Sequence, residues 1–199
     1  MKRVLMRMGL VLVALVGVLV VVGLFLPRQW HVERSVVINA PPEHIHPFVD
    51  DFKAWRLWAV WDEIDPEAKH EYSPKTAGVG AWWSWNGPTL RHGKMLITRS
   101  DVSSGVWIEE LDEAGQKVDG HLTTLTWTQE GGGTKVTWMN EGLLRPVIGG
   151  YFVWTMDSLA DIYFQEALKR LKTLVEKRRA AELEAAQPVH GGVAAPAGP

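Results

Sequence analysis

The chain has 199 residues, 46% of them hydrophobic, and a formal net charge of −2. Three of its 21 basic residues, Lys2, Arg3 and Arg7, precede a long apolar run, leaving 18 against 23 acidic residues for everything after it; so acidic a remainder argues against a nucleic-acid backbone as the main partner. The absence of cysteine excludes a disulfide framework and a thiolate metal site.

Gly9 to Leu26 is unbroken apolar sequence with glycine, about 18 residues long and near the lower limit for crossing a bilayer core as a helix. The basic cluster ahead of it places residues 1–8 in the cytoplasm by the positive-inside tendency. A cleaved signal peptide needs a shorter apolar region ending on small residues, whereas this run closes on Leu24, Phe25, Leu26 and Pro27. The pattern therefore predicts an uncleaved signal anchor over 9–26. The expectation is a single-pass cell-membrane protein with its folded part on the periplasmic or external side. Trp30, just past the run, suits either an interfacial anchor or the start of a strand.

One domain is expected over 30–179, roughly 150 residues and enough for a single core. Val32, Val36, Val37 and Ile38 give the segment from Trp30 the β-branched content of a strand. Pro42 and Glu43 can open a helix running to about Trp55, with Pro47 restricting its start. Trp55, Trp58 and Trp61 then recur at threes, as if closing one end of the core. Asp62, Glu63 and Asp65 beside them read as a solvated loop.

Ala68 to Ser73 reads as a short strand. In the next segment, alternation sets Trp83 and Trp85 on one face with Ala81. Met95 and Ile97 share a face of the strand Gly93 to Arg99, while Trp107 and Ile108 have opposite parity and leave the inner face of Val106 to Leu111 undetermined. His121 to Thr128 and Thr134 to Glu141 flank Gln129-Glu130-Gly131-Gly132-Gly133 as a hairpin, with Leu125 and Trp127 on one face, and Val136 and Trp138 on one face across the turn. From Val153 to about Arg179, Met156, Leu159, Tyr163, Ala167, Leu171 and Leu174 draw an apolar stripe at helical spacing. Residues 180–199 are rich in Ala, Gly and Pro and read as a frayed helix end followed by disorder. The fold class is thus α+β, with a curled antiparallel sheet gripping one long helix and an apolar cavity between them.

Several phrases carry a resemblance: a strand ending in INAPPE, W-x-x-W-x-x-W-D, GVGAWWSWNG, a hairpin closed by GGGTKVTW, and the long late helix. In this order they resemble the START-like, or SRPBCC, superfamily, and within it bacterial polyketide cyclase/dehydrase-like domains, over about Trp30 to Lys177. The resemblance implies a helix-grip fold with seven strands around the C-terminal helix and a deep cavity for lipids or other apolar molecules. It carries no shared catalytic motif, so no catalytic residue follows from it. The apolar anchor, Pro47 and the density of tryptophan are departures, and eleven large indoles bear directly on how much cavity remains.

Few residues have the spacing that chemistry requires. His44 and His46 are two apart and diverge on a helix, and zinc wants three or four converging ligands, so neither a metal nor a cofactor is expected. One of Glu109 and Glu110 must turn inward, and His121 shares parity with Leu125 and Trp127; these are the groups a general acid or base would come from. No serine lies in a nucleophile-elbow phrase. The leading expectation is a membrane-tethered binding module for a lipid or other hydrophobic small molecule, with Trp83, Trp85, Met95, Trp127, Trp138, Met156 and Tyr163 as the wall and Tyr163 or an indole N–H fixing orientation. The rivals are a cyclase or dehydratase using the same cavity and a filled, ligand-free interaction domain. The sequence names no protein partner.

Overall fold

Residues 2–186 are described by the structure, a computed structural model, without the side chains of residues 2, 5, 154 and 156–161. Helix α1 (Lys2–Phe25) contains the stretch Met6–Phe25, which is long and apolar enough to cross a membrane, with mean hydropathy 3.0. Pro27 cannot continue the helix, and strand β1 (Gln29–Ile38) follows at once, with Trp30 inside it.

Among the described residues seven strands make one antiparallel sheet: β1, β2 (Lys69–Tyr72), β3 (Trp82–Gly87), β4 (Arg91–Asp101), β5 (Gly105–Leu111), β6 (Lys117–Glu130) and β7 (Gly133–Leu143), in spatial order β1-β7-β6-β5-β4-β3-β2. The β6–β7 hairpin turns on Gly131 and Gly132, with φ of 58° and 82° between the paired Glu130 and Gly133. A two-residue turn with both central φ positive matches strand twist, and glycine adopts it without a Cβ penalty. The inner face of β5, undetermined from sequence, belongs to Val106 and Ile108, both buried. Trp107 faces outward, where the Arg99 guanidinium lies 4.1 Å over its ring. A cation over the face gives an exterior indole a favourable partner.

The segment after β1 departs from one continuous helix. Helix α2 (Pro42–Val49) includes Pro47 and stops at Val49; α3 (Phe52–Trp55) restarts from Asp51, whose side chain accepts from Lys53 N, and α4 is the single turn Trp61–Ile64. The Trp55 indole donates to Val49 O at 2.8 Å and the Trp58 indole to Phe48 O at 2.9 Å. Two tryptophans thus satisfy carbonyls that the helix end leaves unpaired. Asp65 is corrected from solvated to buried: it is 1% exposed, and its Oδ2 accepts from Thr89 N and Leu90 N, both at 2.8 Å. Asp65 alone leaves the solvated stretch to supply the acceptor for the β3–β4 turn, while Glu63 stays exposed. Asp62 pairs with Arg56, and Glu63 with Arg170.

Helix α5 (Val153–Ala186) continues past Arg179, and residues 187–199 lie outside the described residues. Its buried seam is Phe164, Ala167, Leu168, Leu171 and Val175, with Tyr163 and Leu174 packed at the flank. The expected stripe is therefore rotated by one residue: Phe164 and Leu168 take the central places, because the stacking partner across the interface is the flat ring of Trp138. The side chains of Met156 and Leu159 lie outside the described residues. Lower down, α5 covers the exposed edge of β1: Lys172 donates to Val37 O at 2.8 Å, Glu176 accepts from Asn39 N at 2.8 Å, and Arg179 donates to Asn39 O. Capping an edge in this way blocks its pairing with another chain.

Candidate functional site

Strand register brings one transverse row together on the concave face. Tyr72 is opposite Trp83, Trp83 opposite Met95, and Met95 opposite Glu110. Glu110 Oε2 then meets His121 Nδ1 at 2.9 Å, and the Trp30 ring stands edge-on to the His121 ring at 6.2 Å. Gly142 lies beneath these last two: a Cβ there would sit 2.9 Å from Trp30 Nε1 and 3.0 Å from His121 Cε1. Two residues along, Trp85 covers Gly93, where a Cβ would meet the indole at 2.1 Å. The row is apolar at the β2–β4 side and carries one acid and one imidazole at the β5–β1 side.

Beyond the row the interior is closed by aromatic rings. Trp138 stacks on Phe164 with centroids 4.1 Å apart and meets Trp58 at 5.5 Å and Trp55 at 5.8 Å. Trp55 in turn touches Phe52 and Trp83. The seven residues expected to form one wall are therefore distributed. Trp83, Trp85 and Met95 are adjacent, Trp138 belongs to the aromatic block, and Tyr163 is half-buried beside it. Trp127 is remote: six residues from His121 along β6, about 20 Å at strand rise, it donates to Val102 O at 2.8 Å and packs on His46. Met156 lies outside the residues with described side chains.

Polar groups on this face are unevenly satisfied. The Trp83 indole donates to His70 Nδ1 at 3.0 Å, and since indole is a donor only, His70 carries its proton on Nε2, 3.2 Å from Asp62 Oδ1. By contrast Trp30 Nε1, Tyr72 Oη, Trp85 Nε1 and Trp138 Nε1 are buried atoms with no hydrogen-bond partner among the described residues. Unpaired buried donors are uncommon, because each forfeits its hydration.

Of the two glutamates, Glu110 shares the concave face with Met95 but stays partly exposed, and Glu109 pairs with Lys117 at 2.6 Å. The hydrogen bond that His121 donates to Glu110 holds the imidazole pKa above its ordinary value, against burial, with Glu110 charge and Leu143 O assisting. Protonated His121 donates from both nitrogens, to Glu110 and to Leu143 O at 3.3 Å. A raised folded value stabilises the fold fully below the unfolded imidazole value of about 6.5 and loses that contribution as pH rises through the folded value. Stability measured by urea unfolding is expected to fall across that interval, and Glu110→Gln is expected to flatten the fall. An unchanged slope in the variant would exclude this pair as its source.

Sequence reasoning missed one half-buried polar cluster. His46 Nε2 lies 2.9 Å from Ser100 Oγ, and Ser100 donates to Asp50 Oδ1. The three residue types are those of a nucleophilic triad, but the order is wrong: Asp50 accepts the serine hydroxyl's hydrogen bond and does not orient the imidazole through its far nitrogen. The cluster ties α2 to β4. His44 instead faces Glu182 at 3.3 Å, so the two histidines do diverge.

No protein-family model matches the sequence, and no curated protein matches it. Solved structures do match in shape. The KanY protein is 18% identical, with a TM-score of 0.54, over 74% of this chain and 98% of KanY. The di-domain ARO/CYC StfQ from the steffimycin biosynthetic pathway is 9% identical, with a TM-score of 0.57, over 77% of this chain and 52% of StfQ. A Staphylococcus aureus protein of unknown function is 10% identical, with a TM-score of 0.57, over 76% and 96%. Together with the seven-stranded sheet and α5, these show the helix-grip fold.

Proposed function

We propose that this protein is a membrane-anchored binding module that takes a lipid or other hydrophobic small molecule onto the concave row between Tyr72 and Trp30. The observation that carries the reading is the set of buried, unpartnered donors, Trp30 Nε1, Trp85 Nε1, Trp138 Nε1 and Tyr72 Oη, on a face that is apolar apart from His70 and the Glu110–His121 pair. Such a face suits a ligand with an apolar body and a carbonyl, ester or hydroxyl acceptor. The aromatic block around Trp138 and Phe164 fills the interior beyond the row and so supports a site at the end of the sheet nearest α1. Helix α1, with Lys2, Arg3 and Arg7 at its start, supports a signal anchor with the domain on the extracytoplasmic side. An anchor keeps the module beside a reservoir of lipids.

Native mass spectrometry of the full-length protein in detergent, after incubation with a fluorescent fatty acid, is expected to show a one-to-one adduct. Trp85→Phe should weaken retention at least several-fold by removing a donor while keeping an aromatic body. Absence of any adduct in the folded parent would leave the ligand-free interaction domain as the better reading. A second reading, a cyclase- or dehydratase-like enzyme, is favoured by one observation: Glu110 and His121 are hydrogen-bonded at 2.9 Å within the same row. There, Glu110→Gln would abolish turnover of a polyketide-like substrate while leaving fatty-acid binding intact.

A further inference from the structure

The connection between β7 and α5 does not stay with the domain. It lies against α1. Gly23 is buried while the residues around it on α1 are exposed, and a Cβ there would fall 2.1 Å from Val147 O and 3.0 Å from the Tyr151 ring. On the other side of the contact, a Cβ on Gly150 would fall 2.4 Å from Leu26 Cβ. Tyr151 Oη donates to Leu19 O at 2.7 Å. Val147 holds a positive φ of 68°, a conformation that β-branched residues avoid and that persists only where the surroundings impose it. Two glycines, a hydrogen bond and a strained valine together make this a built contact.

Its depth follows from helix geometry. Leu19 is six residues before Phe25, the end of the apolar stretch, so the Tyr151 hydroxyl reaches about 9 Å inside that end at 1.5 Å per residue. An interfacial apolar element sits roughly 5–10 Å into the headgroup and acyl boundary. At this level the loop presents Ile148, 65% exposed, and Phe152, 52% exposed. With Val16 and Val20 of α1 they line an open apolar groove of ≈ 330 Å³. Arg28 and Arg145 flank the base of the loop, where Leu144 N bonds Arg28 O at 2.9 Å; cationic side chains at that level suit lipid phosphates.

We infer that residues 143–152 form a second membrane-contacting element, a wedge docked on α1 that inserts Ile148 and Phe152 into the adjacent leaflet and seats a lipid acyl chain in the groove beside Val16 and Val20. The inference rests on the anchoring reading above. It also fixes the domain's orientation: the wedge joins Gly142, at the end of the concave row, to the start of α5, so that row opens beside the bilayer and a ligand enters it laterally from lipid.

The chain has no cysteine, so single spin labels report cleanly. Full-length protein with Ile148→Cys, Phe152→Cys, Leu12→Cys or Leu57→Cys is labelled in phosphatidylcholine vesicles, and access to oxygen and to a water-soluble nickel chelate is measured. Labels at 148 and 152 are expected to match position 12, oxygen-rich and nickel-excluded, while position 57 on the domain shows the reverse. Labels at 148 and 152 that behave like 57, with 12 still in lipid, overturn the wedge and leave the anchor standing. A water-accessible label at 12 removes the anchor and the wedge with it. Gly23→Leu is expected to expel the loop, moving the 148 label into water while 12 stays in lipid; a 148 label that stays in lipid overturns docking on α1.

Discussion

Replacing Trp138 by alanine is expected to lower folding stability by about 3–5 kcal/mol, the range for removing a fully buried indole. Trp138 is 2% exposed and touches three other rings, with Phe164 in parallel contact at 4.1 Å. Aromatic pairs contribute about 0.5–1.5 kcal/mol beyond burial, so a double-mutant cycle between Trp138 and Phe164 should return coupling of that order. Trp138→Phe should cost less than about 2 kcal/mol: it retains a ring against Phe164 and removes an indole N–H that has no described acceptor. Urea unfolding of the full-length protein in detergent, followed by tryptophan fluorescence, measures all three. If Trp138→Ala cost no more than Leu57→Ala at an exposed site, the aromatic block would not be what joins α5 to the sheet. That outcome would also free the interior for a deeper site than the one proposed at the Trp30 end.

The same contact explains where the sequence was legible. Period-two alternation put Trp83 and Trp85 on the inner face, and a glycine-rich turn between two alternating runs defined the β6–β7 hairpin, because both signals are local. The stripe on α5 was readable only to within one residue. Tyr163, Leu174 and the more central Phe164 and Leu168 are all apolar at helical spacing, and the choice among them is made by Trp138 across the interface. Asp65 was unreadable for the same kind of reason: its two donors, Thr89 and Leu90, come from a turn more than twenty residues away. The pairing of Glu110 with His121 was visible only as two separate parities, and Glu109 could not be set apart from Glu110 until Met95 fixed the register. The docking of residues 143–152 on α1 had no sequence signal beyond glycines at positions 23, 149 and 150, which composition alone assigns to a loop and an apolar helix.

Gly105→Val is expected to be the other costly substitution, because backbone and packing penalties fall on one atom. Gly105 has φ of 139°, and an added Cβ would sit 2.4 Å from Leu125 O and 2.8 Å from Thr126 Cα. These are backbone atoms of β6, so no side-chain rotation relieves the clash; β5 must move away from the strand it pairs with at Gly105 and Thr126. Backbone strain of this kind costs about 1–3 kcal/mol and overpacking about 1–3 kcal/mol more, a large share of the roughly 5–15 kcal/mol that holds a domain folded. Gly115 provides the control: its φ is 77° but nothing lies within 4 Å of its Cβ position, so Gly115→Val carries the strain without the clash. Urea midpoints should therefore place Gly105→Val well below Gly115→Val, by roughly the overpacking cost alone. The turn cannot absorb the movement, because Trp127 is bonded to Val102 O and Ser104 O on the near side of Gly105. Any shift of β5 is instead passed along the strand toward Glu110, so the variant should also weaken the Glu110–His121 contact and flatten the pH dependence. Equal midpoints for the two valine variants would mean that β5 and β6 can separate at Gly105 without loss, and that the row they carry is less rigidly placed than its register implies.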